Sequence, residues 1–214
     1  MILEPRLLAV AKEIYSNIHL DIGSDHALLP KYLLEHRHIK LAIVIEKNLG
    51  PYHNAKYTLR QLSAKVLLGD GLEPLDCPVD SLSITGMGAK HMVAILSKHP
   101  GKLPKTLVLQ SNDSAEPIRK WSLGKYHLVN EQMVEGFWNY EILKLTKNPT
   151  PDPCYKALGL EVALRFGPIL LEQKHPLLQQ ELEKQCNRLS KLKQTSKVLS
   201  DLSIVKNALE VFHE

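Results

Sequence analysis

The apolar positions of this chain change period along its length. Leu3, Leu7, Leu8, Ala11 and Ile14 recur at helical spacing and predict one or two short helices over 1–16. Ile18–Ile22 is a run of strand length, followed by a helix-like stretch at 27–36 with Pro30 in its first turn, where a missing N–H does no harm. Leu41–Glu46 is almost continuously apolar, as a parallel strand buried on both faces would be. A helix opening at Gly50-Pro51 runs on to Gln61. Further strands are predicted at 65–68, 80–85 and 106–110, with a helix at 91–97, a loop at 98–105 and a helix carrying Ile118 and Trp121.

Strands alternating with helices argue for an α/β sheet with right-handed parallel crossovers. The pattern then breaks. Segments 126–134 and 138–145 both read as strands, and the few residues between them leave no room for a crossover helix. They are therefore expected to pair as an antiparallel hairpin closing a mostly parallel sheet, an arrangement of class I methyltransferases that simple dinucleotide-binding domains usually lack. Three prolines in Asn148–Pro153 predict a linker. Beyond it, Leu178, Leu182, Leu189, Leu192, Leu199, Leu202, Leu209 and Phe212 form a coiled-coil-like seam, weakened at Gln185 and Ser196. The expectation is a Rossmann-like domain over 1–160 and a small helical domain over 161–214, its helix folding back near 194–197.

Composition narrows this picture only slightly. In 214 residues, 44% hydrophobic and 23% charged side chains are ordinary for a globular protein. No apolar run reaches the roughly 18–20 residues of a membrane span, and the start has no signal-peptide pattern. The expected location is cytoplasmic, with no membrane partner. Cys77, Cys154 and Cys186 are too scattered for a disulfide framework or a zinc site, and the ten histidines form no ligand set, so no metal is expected. The net charge of +4 is compatible with an RNA partner without arguing for one.

The candidate chemistry lies at the strand ends. Asp21-Ile22-Gly23-Ser24-Asp25 closes the first strand with an acid and a glycine turn, and Gly23 permits close backbone approach to a ligand. The G-x-G-x-x-G fingerprint is absent, because Asp25 and Ala27 stand where glycines would be. A carboxylate there repels a pyrophosphate but attracts an ammonium and a sulfonium, which favours S-adenosylmethionine over a dinucleotide. Asp25 alone would equally suit a helix cap. Glu46, with Lys47 beside it, ends the second strand where ribose hydroxyls are bound in such folds. Asp70, between Gly69 and Gly71, suits an adenine amino group, although a turn role fits it as well. Gly86-Met87-Gly88 lets a planar base approach the backbone, although Met87 also suits the core, and Asn112 suits a base edge or, equally, a turn.

With these residues in place, the chain resembles the bacterial tRNA N1-adenine methyltransferases that act on position 22. The resemblance rests on Asp21-Ile-Gly-Ser-Asp-His-Ala27 with Leu29-Pro30, on Gly50-Pro51-Tyr52 with Ala55, and on Gly69-Asp-Gly-Leu72. Gly86-Met-Gly88, Gln110 with Asn112, Tyr140-Glu-Ile142 and Arg165-Phe-Gly-Pro168 extend it over almost the whole chain. It implies S-adenosylmethionine as donor and tRNA as acceptor. Ala89, Ser111 and Leu28 stand where Gly, Pro and Tyr are common in that family, all on the presumed acceptor side.

The expected reaction is in-line attack of adenine N1 on the donor methyl. Asp25 favours the cationic product or holds the donor's ammonium, and Asn112 and the Gly86–Gly88 backbone grip the base. A methyltransferase for another RNA or a small molecule is the second reading, and a non-catalytic RNA- or partner-binding protein with a retained donor pocket is the third. Under the RNA readings Lys98, Lys102, Lys105, Arg119, Lys120, Lys125, Arg6 and Lys12 are candidate phosphate contacts. From Glu161 onward, eight basic and seven acidic residues leave an RNA role of the C-terminal part invisible in net charge.

Overall fold

The structure, a computed structural model, describes residues 3–213. In chain order the elements are α1 (Pro5–Lys12), β1 (Ile18–Ile22), α2 (Leu28–Glu35), β2 (Leu41–Glu46), α3 (Leu49–Leu59) and β3 (Ala64–Leu68). There follow β4 (Ser81–Met87), α4 (Ala89–Lys98), β5 (Thr106–Ser111), α5 (Glu116–Ser122), β6 (Tyr126–Val134) and β7 (Tyr140–Lys147). Four helices complete the chain: α6 (Leu160–Phe166), α7 (Pro168–Glu172), α8 (Pro176–Ser190) and α9 (Ser196–His213).

Seven strands form one sheet in the order β3-β2-β1-β4-β5-β7-β6. Neighbours from β3 to β5 run parallel, whereas β7 is antiparallel to both β5 and β6. The expected hairpin is therefore present, with its second strand starting two residues later than the apolar pattern placed it. The order reverses between β1 and β4. In open α/β sheets a ligand crevice forms at such a switch, beyond the carboxyl ends of the strands.

Alternation along each strand feeds two cores. Leu107 and Leu109 face one side with Leu20, Ile43 and Ile84, packed against Met92, Leu96 and Ile118. Val108 faces the other side with Ala42 and Ile142, under Val10 and Ile14 from the N-terminal segment and Leu29 and Leu33 of α2. The proline-rich 148–153 segment is pinned to the sheet. Buried Asp152 accepts from Leu128 N–H at 2.7 Å and from Cys154 N–H at 3.1 Å, and Tyr155 enters the first core.

Helix α6 contributes Ala163 and Leu164 to the sheet core, while Phe166 joins a separate cluster built from Leu178, Leu182 and Leu189 of α8 and Val205 and Ala208 of α9. The two long helices fold back on each other, but the turn falls at 191–195, earlier than the seam indicated. Gln194 supplies the missing stop signal. Its side-chain amide donates to the carbonyls of Leu189 at 3.2 Å and Leu192 at 2.6 Å, covering the end of α8 where no glycine stands. Leu192 and Leu199, read as seam residues, are exposed at and just after this turn.

Candidate active site

The turn after β1 is wound tightly. Gly23 (φ +72°), Asp25 (φ +51°) and Ala27 (φ +53°) are all left-handed, and a side chain at Gly23 would collide with the Met87 methyl. Non-glycine residues in this region carry strain and persist only where surrounding contacts hold them. Here Gly23 N–H donates to Ile45 O at 3.0 Å, Ala27 N–H to Ser24 O at 3.0 Å, and Asp25 N–H to Glu46 Oε1 at 2.6 Å. Asp25 makes no helix-cap bond; Ala27 is the N-cap of α2, and no side chain caps it. The Asp25 carboxylate is solvent-facing, 3.6 Å from His26 Nε2.

Asp21 is buried, and each of its carboxylate oxygens accepts a hydrogen bond. Ser24 Oγ donates to Oδ2 and Ser83 Oγ to Oδ1, each at 2.5 Å. Since Ser83 donates to Asp21, its oxygen accepts from His19 Nε2, 2.8 Å away, and His19 Nδ1 then accepts from Ser81 Oγ at 2.7 Å. Ser81 Oγ lies 2.8 Å from Ser16 Oγ, so one polar chain runs through the sheet from Ser16 to Asp21. Burial pushes the His19 pKa down to about 3, which keeps the ring neutral and this single tautomer in place. Burial also pushes the Asp21 carboxyl up, against the pull of its two serine donors, and raises that of Glu46.

Gly86 marks a break in the β4–β5 ladder, where the register shifts between Thr85 and Met87. At φ +75° its N–H turns to Gln110 Oε1 at 3.1 Å and its carbonyl accepts from Asn112 Nδ2 at 2.7 Å. Such bulges re-aim backbone next to active sites. Gly88 leads into α4, whose first N–H, from Ala89, donates to Asp113 Oδ1 at 2.7 Å. At the next strand ends, Asp70 is flanked by Lys98 at 3.1 Å and Lys47 at 3.3 Å, which hold its carboxyl below the usual range. Gly71 turns left-handed beside it, and Gly69 packs against Pro74.

Two clefts result. One, of about 430 Å³, lies at the switch point between the N-terminal segment and the glycine turn, lined by Arg6, Asp21, Gly23–His26, Thr85 and Gly86. The other, of about 620 Å³, lies between the sheet and α8, with Asn112, Asp113, Trp138, Glu141 and Glu181 on its walls. Asp25 and Asn112 thus line different clefts, joined through the Gly86 carbonyl. Glu46 meets the first cleft through Asp25, and Lys47 with Asp70 stands farther along the strand ends.

Sequence reasoning misplaced Arg119, Arg6 and Lys102. Arg119 is no surface residue. Its guanidinium is fully buried, with Nε 2.6 Å from Glu131 Oε1, Nη2 on Glu141 and Nη1 3.2 Å from Leu164 O. Arg6 faces the first cleft rather than solvent, donating to Gln110 and Glu4 and lying 5.5 Å from the Tyr140 ring centre. Partners more than ten positions away made both placements invisible to periodicity. Lys102 is a structural residue, donating to the carbonyls of Leu72, Glu73 and Leu75.

A Rossmann-like sheet with an acid-lined crevice at its switch point suits a methyl donor, but many families share that much. Comparison with known proteins is more specific. The profile of the tRNA (adenine(22)-N(1))-methyltransferase family matches residues 19–214. The chain belongs to this family. The tRNA (adenine(22)-N(1))-methyltransferase of Bacillus subtilis (strain 168) is 33% identical over 183 residues, spanning 81% of this chain and 76% of that protein. The crystal structure of the B. subtilis enzyme superposes with a TM-score of 0.82 at 29% identity, covering 99% of this chain and 97% of that one. The structure of M. capricolum TrmK in complex with S-adenosyl-homocysteine gives a TM-score of 0.87 at 25% identity over 99% and 100% of the two chains. The family match begins at His19 and leaves α1, with Arg6, outside it.

Proposed function

We propose that this protein transfers a methyl group from S-adenosylmethionine to N1 of the adenine at position 22 of tRNA, in the cytoplasm. Family membership supports the reaction. The observation that carries the site assignment is the 2.6 Å bond from Asp25 N–H to Glu46 Oε1, which draws the glycine turn of β1 against the acid ending β2 at the switch point. The adjoining cleft of about 430 Å³ is of a size that holds a small ligand.

S-adenosylmethionine supplies, when bound, a methyl group activated on a sulfonium. Asp21 and Asp25 give the crevice the negative wall that suits an ammonium and a sulfonium. Glu46 has lone pairs to spare beyond the Asp25 contact, enough to accept from ribose hydroxyls. Asp70, kept ionised by Lys98 and Lys47, accepts from the donor's adenine amino group. Ser24 holds Asp21, Gly23 and Met87 shape the floor, and Gly69 and Gly71 allow the turn that presents Asp70.

On the acceptor side Asn112 commits its amide N–H to Gly86, which turns its carbonyl oxygen to the role of acceptor for the target base's amino group. Adenine N1 is unprotonated at neutral pH, so the side chains need only position it and favour the positive charge that develops on the base. A paired or stacked adenine hides N1, and the base must leave its stack to react. The tRNA backbone meets the far end of the helical hairpin. Lys184, Arg188, Lys191, Lys193 and Lys197 are all exposed there, no acidic residue falls between 184 and 200, and none of the five forms an ion pair with a described residue.

Labelled S-adenosylmethionine and unmodified tRNA transcripts test the reading. Transfer to a transcript with A22, and none to the same transcript with G22, is the expected result; equal labelling of both contradicts the assigned target.

A further inference from the structure

The turn joining β6 and β7 carries two exposed aromatic side chains. Phe137 is 87% exposed and Trp138 54%, and their rings meet edge to face with centres 4.6 Å apart. A lone exposed apolar residue needs no explanation, but two large rings side by side at a hairpin tip hold apolar surface in water and mark a contact site. The tip is not loose. A side chain on Gly136 would collide with the Tyr140 ring, so the chain is folded tightly onto the start of β7. Asn139 Nδ2 donates to Glu181 Oε1 at 2.8 Å, which fastens the tip to α8.

The tip borders the cleft in which the target base is read to lie. Trp138 and Asn112 both line that cleft of about 620 Å³. Carboxylates dominate its walls, from Asp113, Glu116, Glu141, Glu181 and Asp201, and the Arg165 guanidinium among them is already 2.7 Å from Asp201. Such walls repel phosphates and admit an uncharged base, and they favour a base that becomes cationic on methylation. The phosphates have a place nearby. From Glu181, which holds the tip, α8 runs seven residues to Arg188, about 10 Å at 1.5 Å per residue, and into the basic end of the helical hairpin. A cationic surface for the backbone beside aromatic rings for the bases is the division of labour found where proteins hold unstacked nucleic acid.

A target adenine that leaves its stack opens a gap between its neighbours, and the unstacking costs energy. Apolar side chains inserted between base steps are a recurring means of holding such openings. We propose that the hairpin tip is a wedge of this kind: Phe137 takes the place that the target adenine vacates, with Trp138 as its brace, while the adenine enters the cleft at Asn112. This deepens the reading of tRNA as the acceptor and rests on it. Phe137 acts on extrusion of the base and not on the methyl transfer itself, so an RNA whose target base is already poorly stacked has no need of it.

The test is single-turnover methyl transfer from S-adenosylmethionine by the full chain to two RNAs. One is an intact tRNA with A22; the other is the same tRNA assembled with an abasic residue next to A22, which lowers the cost of extrusion. Phe137→Ala is expected to slow transfer to the intact tRNA roughly 10- to 100-fold, as loss of a stacking ring does, and to leave transfer to the abasic RNA within about threefold. Phe137→Trp, which keeps a flat ring, is expected to retain the rate on both. Trp138→Ala should show a smaller loss with the same preference. Equal slowing on both RNAs, or unchanged transfer to the intact one, overturns the wedge. If the unaltered protein methylates neither RNA, the reading of tRNA as the acceptor fails and the proposal with it.

Discussion

Asn112 Nδ2 donates to the Gly86 carbonyl at 2.7 Å. This one bond links the cleft at the switch point to the larger cleft beneath the C-terminal helices, the proposed donor and acceptor sides of the site. Asn112→Ala removes both the anchor on Gly86 and the proposed acceptor for the base. Single-turnover methyl transfer is expected to slow roughly 10- to 100-fold. An unchanged rate would remove Asn112 from the site.

Asp25 sits left-handed in a strained turn, and its backbone, not its side chain, contacts Glu46. Asparagine tolerates that conformation well, so Asp25→Asn isolates the charge while keeping the turn. The rate of methyl transfer to tRNA is expected to drop about 100-fold, with thermal stability close to that of the unaltered protein. Full activity would mean that the negative wall rests on Asp21 and Glu46 alone.

His19 gives stability a defined pH dependence. Its pKa is depressed from 6.5 to about 3 by burial, so the folded protein excludes a proton that the unfolded chain accepts. The neutral ring contributes its full share of stability above pH 6.5, and that share is lost as the pH falls toward 3. The slope is about 1.4 kcal/mol per pH unit across this window. Denaturant unfolding at several pH values should show it, and His19→Gln should lack it. The same slope in the variant would assign the dependence to another group.

Arg119, Glu131 and Glu141 join α5, β6 and β7, and Glu131 Oε2 also accepts from Ile169 N–H at 3.2 Å, which reaches α7. Removing one partner of a buried ion pair leaves its mate uncompensated. Glu131→Gln is expected to cost about 3–5 kcal/mol in unfolding free energy. A loss below about 1 kcal/mol would show that the guanidinium finds water or another acceptor.

The hairpin end of α8 and α9 should carry the salt dependence of tRNA binding. Replacing Lys191, Lys193 and Lys197 together by Gln is expected to reduce the slope of log affinity against log salt by about 2–3. Binding of S-adenosylhomocysteine should not change. An unaltered slope would place the RNA contacts elsewhere.

Much of this architecture was legible in the sequence because it depends on local pattern. The short gap between Val134 and the next apolar run excluded a crossover helix, and the closing hairpin followed. The acids at 21, 46 and 70 could be read as strand ends because apolar runs stop at them. Long-range pairing was not legible. Arg119 is buried because residues 131, 141 and 164 surround it, and Arg6 faces the cleft because Gln110, 104 positions away, accepts from it. Asp113 caps α4 from across the sheet edge in the same way. The even charge balance beyond Glu161 hid the basic hairpin end, since its acids lie in the outer portions of the segment and its cations cluster between 184 and 197.

The central claim, methyl transfer to N1 of a single tRNA adenine, is tested most directly by mapping the product. Unmodified tRNA is incubated with the protein and S-adenosylmethionine and then reverse-transcribed, since a methyl on N1 blocks base pairing. A new arrest at position 22 that requires both protein and donor is the expected result. Incorporated methyl groups with no arrest there, or an arrest at another position, would contradict it.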